Sequence, residues 1–566
     1  MGDSYIIAID FGTAYSGYAY TVAPKEEQLD PILKKWGKEH GFETPKTPTC
    51  ILLNEHEEFL SFGYDAKKIY INLRGEAAKA HYFFENFKMD IYDSKLSRDV
   101  MIKAANGKSV PAMKVFTESL RYLKEDALET ISGKTKREFI ASDFTWVLTV
   151  PAIWDPSAKQ FMREAATQAG IVTEESQTKL VIALEPEAAS VWCKKLPADG
   201  FITQNHDGGS LDQSPGTHYM VVDCGGGTID ITVHEVLDGG ELKELQKASG
   251  NNLGGQNVDR KYKQFLREIF CDGVWDQYEE NFPSDVQKMM HDFMYLKQVD
   301  DDIQVTCPFT LGTLAQKSQE IERFFESVQG ASWDEGAIRI SKETLRSFFA
   351  ESLEGITDSL RQILNKDLSV EYILLVGGYA ESQILRQHVI DQFGDQCKVL
   401  CPFRPQEAIV KGAVKFGRNP GLVASRKSAF TYGVSVYEKF DPSKHKKDKK
   451  FTNKEGEWCK DIFMKLVEEG EDVKWNETRN HILYPLERDQ RVVNFTFYCT
   501  ERKMLMYVDD WGVEVVGSFV VDMPDTVQGR RCEVKLEIKF GATEITATGF
   551  VSGSKNSVKI DFMTKA

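Results

Sequence analysis

The sequence predicts an α/β protein of duplicated architecture that passes into an all-β region, and three observations carry the prediction. Buried-strand runs alternate with helical text over most of the chain, as they do around an α/β sheet. One pattern of strand, glycine turn and strand occurs twice, far apart. From about Phe430 onward the text changes to short alternating strands.

The repeated pattern is clearest at residues 219–236, YMVVDCGGGTIDITVHEV. Tyr219 to Val222 is an apolar run of buried-strand length, and Asp223 ends it. Gly225, Gly226 and Gly227 follow, and alternation resumes through Ile229, Ile231 and Val233, which makes a hairpin. Three glycines remove every Cβ from the turn and let backbone N–H groups close on an anion. A carboxylate beside such a cradle suits magnesium, usually through water. An ordinary tight hairpin has the same text, and the second copy breaks the tie. Residues 5–20, YIIAIDFGTAYSGYAY, place Asp10 where Asp223 stands and Gly12 where Gly225 stands. Duplication predicts one phosphate hairpin in each half, gripping a polyphosphate across a cleft. No G-x-x-x-x-G-K-[ST] occurs, and these glycines lead into a strand, unlike a Rossmann turn.

A chain of 566 residues is too long for one core and implies two to four domains. Its net charge of −16 argues against a nucleic-acid backbone or an anionic membrane as partner. The ten cysteines are scattered without a C-x-x-C, Cys397 and Cys401 coming closest, which suits reduced thiols in the cytoplasm or nucleus. No signal peptide and no membrane-spanning apolar run is expected, so no membrane insertion. Met1-Gly2 opens as a myristoylation signal would, but Ile6 stands where Ser or Thr is required.

Taken in order, a polar, proline-rich stretch follows the first hairpin to Pro48. Residues 82–91, YFFENFKMDI, set Lys88 among aromatics, a place where lysine usually snorkels to the surface. The spacing of Phe116, Leu120, Leu123 and Leu128 predicts a helix over 114–130. Phe144–Val150 is a buried-strand run closed by Pro151, and 157–169 a helix. Leu180–Leu184 is a strand ending at Glu185-Pro186, with a helix over 187–196. Gly, Ser, Asn and Asp mark 199–217 as a loop. Gly254-Gly255 opens a helix with Val258, Tyr262, Phe265, Leu266 and Ile269 inward, and helical text continues to about Asn365. Tyr372–Val376 is a strand that runs into Gly377-Gly378, then a helix with Glu381 in its first turn. A glycine pair at that junction lets a ligand lie against backbone. The character changes at Asn419-Pro420-Gly421. Cys532, Val534, Leu536, Ile538 and Phe540 alternate with polar residues, and 492–498, 513–521, 543–550 and 558–562 behave similarly, which predicts a β-sandwich. The basic run 444–450 reads as a solvated loop.

IDFGTAYS, VLTVPAIWD, ALEPEAAS, VVDCGGGTIDIT and LLVGGYAES resemble, in this order, the nucleotide-domain motifs of the heat shock 70 kDa family, within the actin–hexokinase superfamily. Five ordered motifs over about 5–417 are a specific signal, where any one alone is weak. The chain as a whole is most similar to the atypical 12A/12B subgroup, with residues 458–463 and the closing β region supporting that placement. The resemblance implies an actin-like ATPase domain with ribonuclease-H-like halves over residues 1–421. It implies a β-sandwich over 422–566 that binds a client or partner protein, without a helical lid and without an acidic co-chaperone tail.

ATP or ADP with magnesium are the implied cofactors. By resemblance, Asp10 and Asp223 orient the magnesium shell through water. Gly12, Thr13, Gly225, Gly226, Gly227 and Thr228 bind phosphates, with Ala14 and Tyr15 beside them, and Asp230 is the acid after the second hairpin. Lys88 positions the attacking water and γ-phosphate, and Glu185 matches the acid of the E-P motif. Gly255, Lys297, Gly377 and Gly378 line the nucleoside pocket next to Tyr379. Phosphoryl transfer asks a protein mainly for positioning and charge neutralisation, which such a set supplies.

The departures are as specific. Ala14 replaces a second threonine, Met294 and Gln298 replace a glutamate and the adenine-stacking arginine, and Tyr379 and Glu381 replace a serine and an arginine. A cation stacked on a ring is worth ~1 kcal/mol, so weaker adenine recognition is expected. Residues 421–429 offer only Leu422 and Val423 as apolar linker anchors, and no full foldase cycle is expected. The leading reading is a chaperone-like, slow magnesium-dependent ATPase coupled to protein binding. A nucleotide-gated adaptor with little turnover is the alternative. A small-molecule kinase of the same superfold ranks third, disfavoured by Lys88, Glu185 and the β-sandwich appendage.

Overall fold

The structure, a computed structural model, describes residues 5–22, 30–41, 43–92, 96–202, 209–366, 368–523, 531–551 and 558–563. Two sheets of like pattern position everything else. In the first, Tyr5–Phe11 and Tyr15–Thr21 form an antiparallel hairpin, and Phe144–Val150 and Leu180–Leu184 extend it as parallel strands. In the second, His218–Cys224 and Ile229–Val236 form the hairpin, and Tyr372–Val376 and Lys398–Pro402 extend it in parallel. The parallel strands are covered on both faces, which is why their text is continuously apolar.

A core between the sheets joins the two halves. Ile6, Ala8 and Val147 of the first sheet share it with Tyr219, Val221 and Leu374 of the second. Two helices, Glu185–Cys193 and Pro405–Arg418, cross within it. They meet backbone to backbone, because a Cβ on Gly412 would collide with the Ala188 carbonyl. The first of these helices begins at Glu185, two residues before the text suggested, since proline is tolerated in a first helical turn.

Other departures from the sequence reading have local causes. The first long helix runs Ala112–Thr135. The helical text before Asn365 is interrupted by a three-stranded sheet of Ile303–Thr306, Ala331–Asp334 and Ala337–Ile340, each strand too short to show a period. After Gly377, at φ 86°, comes a 3-10 turn Gly378–Glu381, and the helix Gln383–Phe393 starts only after Ser382 caps it. Glu381 thus precedes that helix. The expected loop 199–217 contains a short strand Phe201–Ile202, and its residues 203–208 lie outside the described ones.

Beyond Arg418 the chain first adds Val423–Lys427 to the second sheet, parallel to Leu242–Asn251, and Asp472–Lys474 pairs with it in turn. Among the described residues, the remainder forms a five-stranded and a four-stranded sheet. Val434, Phe495, Phe497 and Phe519 of the former share one core with Val534, Leu536, Ile538 and Ala547 of the latter. The basic run is not simply solvated. Lys449 is buried on Asp461, at 2.9 Å, and on Asp509, acids too distant in sequence for a charge run to reveal. This β region docks on the first half through Arg163–Glu544, at 2.8 and 2.6 Å, and Arg98–Asp561, at 2.9 and 3.1 Å.

Candidate functional site

The two hairpin turns meet at a cavity of about 230 Å³ between the halves. Three of the hairpin glycines are required by a close approach. A Cβ on Gly12 would collide with the Tyr15 carbonyl, and one on Gly226 would lie 2.8 Å from the Ala14 Cβ. One on Gly227 would lie 2.8 Å from the Thr13 hydroxyl, so turn packs on turn. The hairpin register sets Asp10 opposite Gly17 and Asp223 opposite Asp230, which places both carboxylates beside the turns.

Asp10, Gly12, Thr13, Ala14 and Tyr15 line this cavity from the first half, as do Lys88 and Glu185. Asp223, Gly225, Gly226, Gly227 and Thr228 line it from the second, with Gly255, Lys297, Gly377, Gly378 and Tyr379 at the far end. Asp230 alone of the expected residues lies behind the wall, its Oδ1 accepting from the Ile153 N–H at 3.1 Å.

Three lysines face the cavity, each held by a carboxylate. Lys88 donates to Glu185 Oε1 at 2.8 Å and lies 5.1 Å over the Trp154 ring. It is 1% exposed, not a surface lysine, because the 3-10 turn Phe87–Ile91 folds it inward. Lys46 donates to Asp10 Oδ2 at 2.5 Å, and Lys297 to Asp259 Oδ1 at 2.5 Å and the Gly255 carbonyl at 3.1 Å. Burial pushes the Glu185 carboxyl up to about 7, Lys88 opposing and Asp10 and Asp230 adding to the rise. Burial also raises Asp223 well above the carboxylate range, with Glu185 next in effect. Its Oδ1 is buried without a hydrogen-bond partner.

That orphan acceptor fits magnesium. The ion takes one or two carboxylates and otherwise water and phosphate oxygens, so it needs no cage of protein ligands. Among the described residues no group of three or more His, Cys, Asp or Glu forms one.

The far end of the cavity is aromatic. The Tyr379 ring is 7% exposed, 25° from parallel with Phe349 at 6.0 Å, and fixed against Gly255. The Tyr15 hydroxyl reaches Met294 Sδ at 3.6 Å, bridging the halves. A second cavity of about 750 Å³ lies alongside and shares Ala14, Tyr15, Gly227, Gln256, Asp259 and Met294 with the first.

With this geometry in place, comparison with known proteins is decisive. The Hsp70 protein family model matches residues 65–418. Human heat shock 70 kDa protein 12A (Homo sapiens) is 34% identical over 99% of this chain and 91% of its own length. The chain belongs to the Hsp70 family. Human heat shock 70 kDa protein 12B is 33% identical over the same shares. Chaperone protein DnaK of Thermosipho melanesiensis is 22% identical over 72% of the chain and 58% of its own length. The expected family, subgroup likeness and actin-like α/β fold are therefore borne out.

Sequence reasoning missed several residues of this Hsp70-family site. Lys46 sits in a polar stretch whose text marks no single residue. Thr149 donates to Asp10 Oδ1 at 3.1 Å, and its place near the end of a strand parallel to Tyr5–Phe11 was a usable signal. Asp259 lies one helical turn after Gly255, which was another. Tyr64 and Tyr295 line the aromatic end and had none.

Proposed function

We propose that this protein binds ATP and ADP with magnesium in the cavity, hydrolyses ATP slowly, and couples the bound state to a protein partner on its β region. The observation that carries the reading is the convergence of both glycine hairpins on the Lys88–Glu185 pair. Backbone N–H groups of the turns hold phosphate oxygens. Lys88 orients the γ-phosphate and the attacking water, and Glu185 fixes Lys88 and accepts the water's proton. Asp10 and Asp223 are the carboxylates that would hold magnesium, which when bound neutralises polyphosphate charge.

The route to the β region runs through Arg426, which donates to both Glu187 oxygens at 2.8 and 2.6 Å and to the Gly541 carbonyl at 2.8 Å. This tether supports the second reading too, a nucleotide-gated adaptor with little turnover, because docking alone can report which nucleotide is bound. The ten cysteines, none in a disulfide, support a place in the cytoplasm or nucleus. Among the described residues no helix is long and apolar enough to cross a membrane.

Nucleotide binding with and without magnesium, measured beside single-turnover hydrolysis, tests the proposal. Binding with turnover supports the ATPase, binding without turnover replaces it by the adaptor, and no binding overturns both.

A further inference from the structure

The two hairpins match in backbone and differ in charge. Asp10 is satisfied on both oxygens, by the Lys46 ammonium at 2.5 Å and the Thr149 hydroxyl at 3.1 Å. Asp223 carries a buried oxygen with no hydrogen-bond partner. The lysine is built in rather than draped over the site. Its side chain is 8% exposed and that of Asp10 2%. Its stem crosses the first hairpin at Gly17, the residue opposite Asp10, where a Cβ would lie 3.1 Å from Lys46 Cγ. The other two lysines of the cavity serve elsewhere, Lys88 on Glu185 and Lys297 on Asp259 at the far end.

We propose that Lys46 is a phosphate-binding residue, a fixed cation serving the first hairpin, so that of the two magnesium carboxylates named above only Asp223 takes the metal, and nucleotides bind in part without it. An ammonium has three N–H donors, and one directed at Asp10 leaves two for phosphate oxygens. It is a compact charge that needs no partner ligands, whereas magnesium gives up its water reluctantly. Lys46 also acts on Asp223 and Glu381, lowering both carboxyls against their burial, which puts its charge among the acids of the site and not on Asp10 alone. The inference rests on the nucleotide reading above and deepens it. The simpler role, a structural partner that only neutralises buried Asp10, is separated from it by removing both charges together.

The test is equilibrium titration of the full chain with ADP, in excess magnesium and in EDTA. The parent protein is expected to retain ADP binding in EDTA. Lys46→Met is expected to lose roughly tenfold to a hundredfold of that metal-free affinity, the weight of a hydrogen bond to a charged group. The double variant Asp10→Asn/Lys46→Met leaves neither member of that ion pair as a lone charge and is expected to show the same loss while unfolding close to the parent's temperature. Asp223→Asn is expected to lose the gain that magnesium gives. Parent binding that vanishes in EDTA overturns the inference, and so does a double variant that binds ADP in EDTA as the parent does. A parent that binds no ADP in either buffer overturns the nucleotide reading itself and this inference with it.

Discussion

Glu185 and Glu187 stand two residues apart on one helix and are gripped from opposite sides. Lys88 holds Glu185 inside the cavity at 2.8 Å, and Arg426 holds Glu187 at 2.8 and 2.6 Å from the segment that leads into the β region. Residues two apart on a helix project to different faces. The cavity and the β region therefore hold the same rigid turn, each by one buried cation.

Lys88→Ala is expected to keep nucleotide affinity within a few-fold and to slow single-turnover hydrolysis by about 100-fold or more, the usual weight of a positioned proton-transfer pair. Affinity that collapses together with turnover would place Lys88 in binding instead.

Arg426→Ala leaves Glu187, 0% exposed, as an unpaired buried carboxylate. Breaking such a pair costs about 3–5 kcal/mol, so the midpoint of chemical unfolding should fall strongly. Glu187→Gln/Arg426→Met removes both charges and should recover most of the loss. A single variant that unfolds like the parent would mean that the pair does not hold the segment in place.

Glu244 gives the pH dependence. Burial, with Glu187 next, pushes its carboxyl up to about 8, although the Lys427 N–H donates to it at 2.8 Å. The unfolded chain releases that proton near 4.3. Between about pH 4.3 and 8 the folded state therefore binds the extra proton, so this contribution is complete below that window and is lost as pH rises through it. Each pH unit of displacement is worth about 1.4 kcal/mol. Glu244→Gln should flatten thermal stability against pH across the window, and an unchanged slope would assign it to other groups.

The aromatic end predicts weak discrimination between bases. Tyr379 is fixed against Phe349 and Gly255, forming a wall with no freedom to turn over a base. ATP should outcompete GTP only modestly, and Tyr379→Ala should weaken both alike while destabilising the fold by about 3 kcal/mol, as large-to-small core changes do. A strong ATP preference that survives the substitution would show that other contacts read adenine.

Much of this was legible in the text because the hairpins are local. Asp10 with Gly12, and Asp223 with Gly225 to Gly227, each fit within a few residues, and their duplication fixed the architecture. Ion pairs closed over long separations were not legible. Lys46 meets Asp10 across 36 residues and Arg426 meets Glu187 across 239, and neither lysine nor arginine stands in a patterned segment. Lys88 was singled out only through the family resemblance, since aromatic neighbours usually announce a surface lysine. The strands between Ile303 and Ile340 escaped because four residues cannot display a period.

The bare contact of Gly412 with Ala188 makes a fulcrum of the helix Pro405–Arg418. Gln406 and Ile409, near its start, form part of the nucleotide cavity. Past its end a 3-10 turn, Pro420–Leu422, leads into Val423–Lys427, the strand that carries Arg426. Pinned at Gly412, the helix has one arm in the cavity wall and the other joined to the β region. A rigid rod pinned in this way would carry any tilt of one arm to the other in the opposite direction.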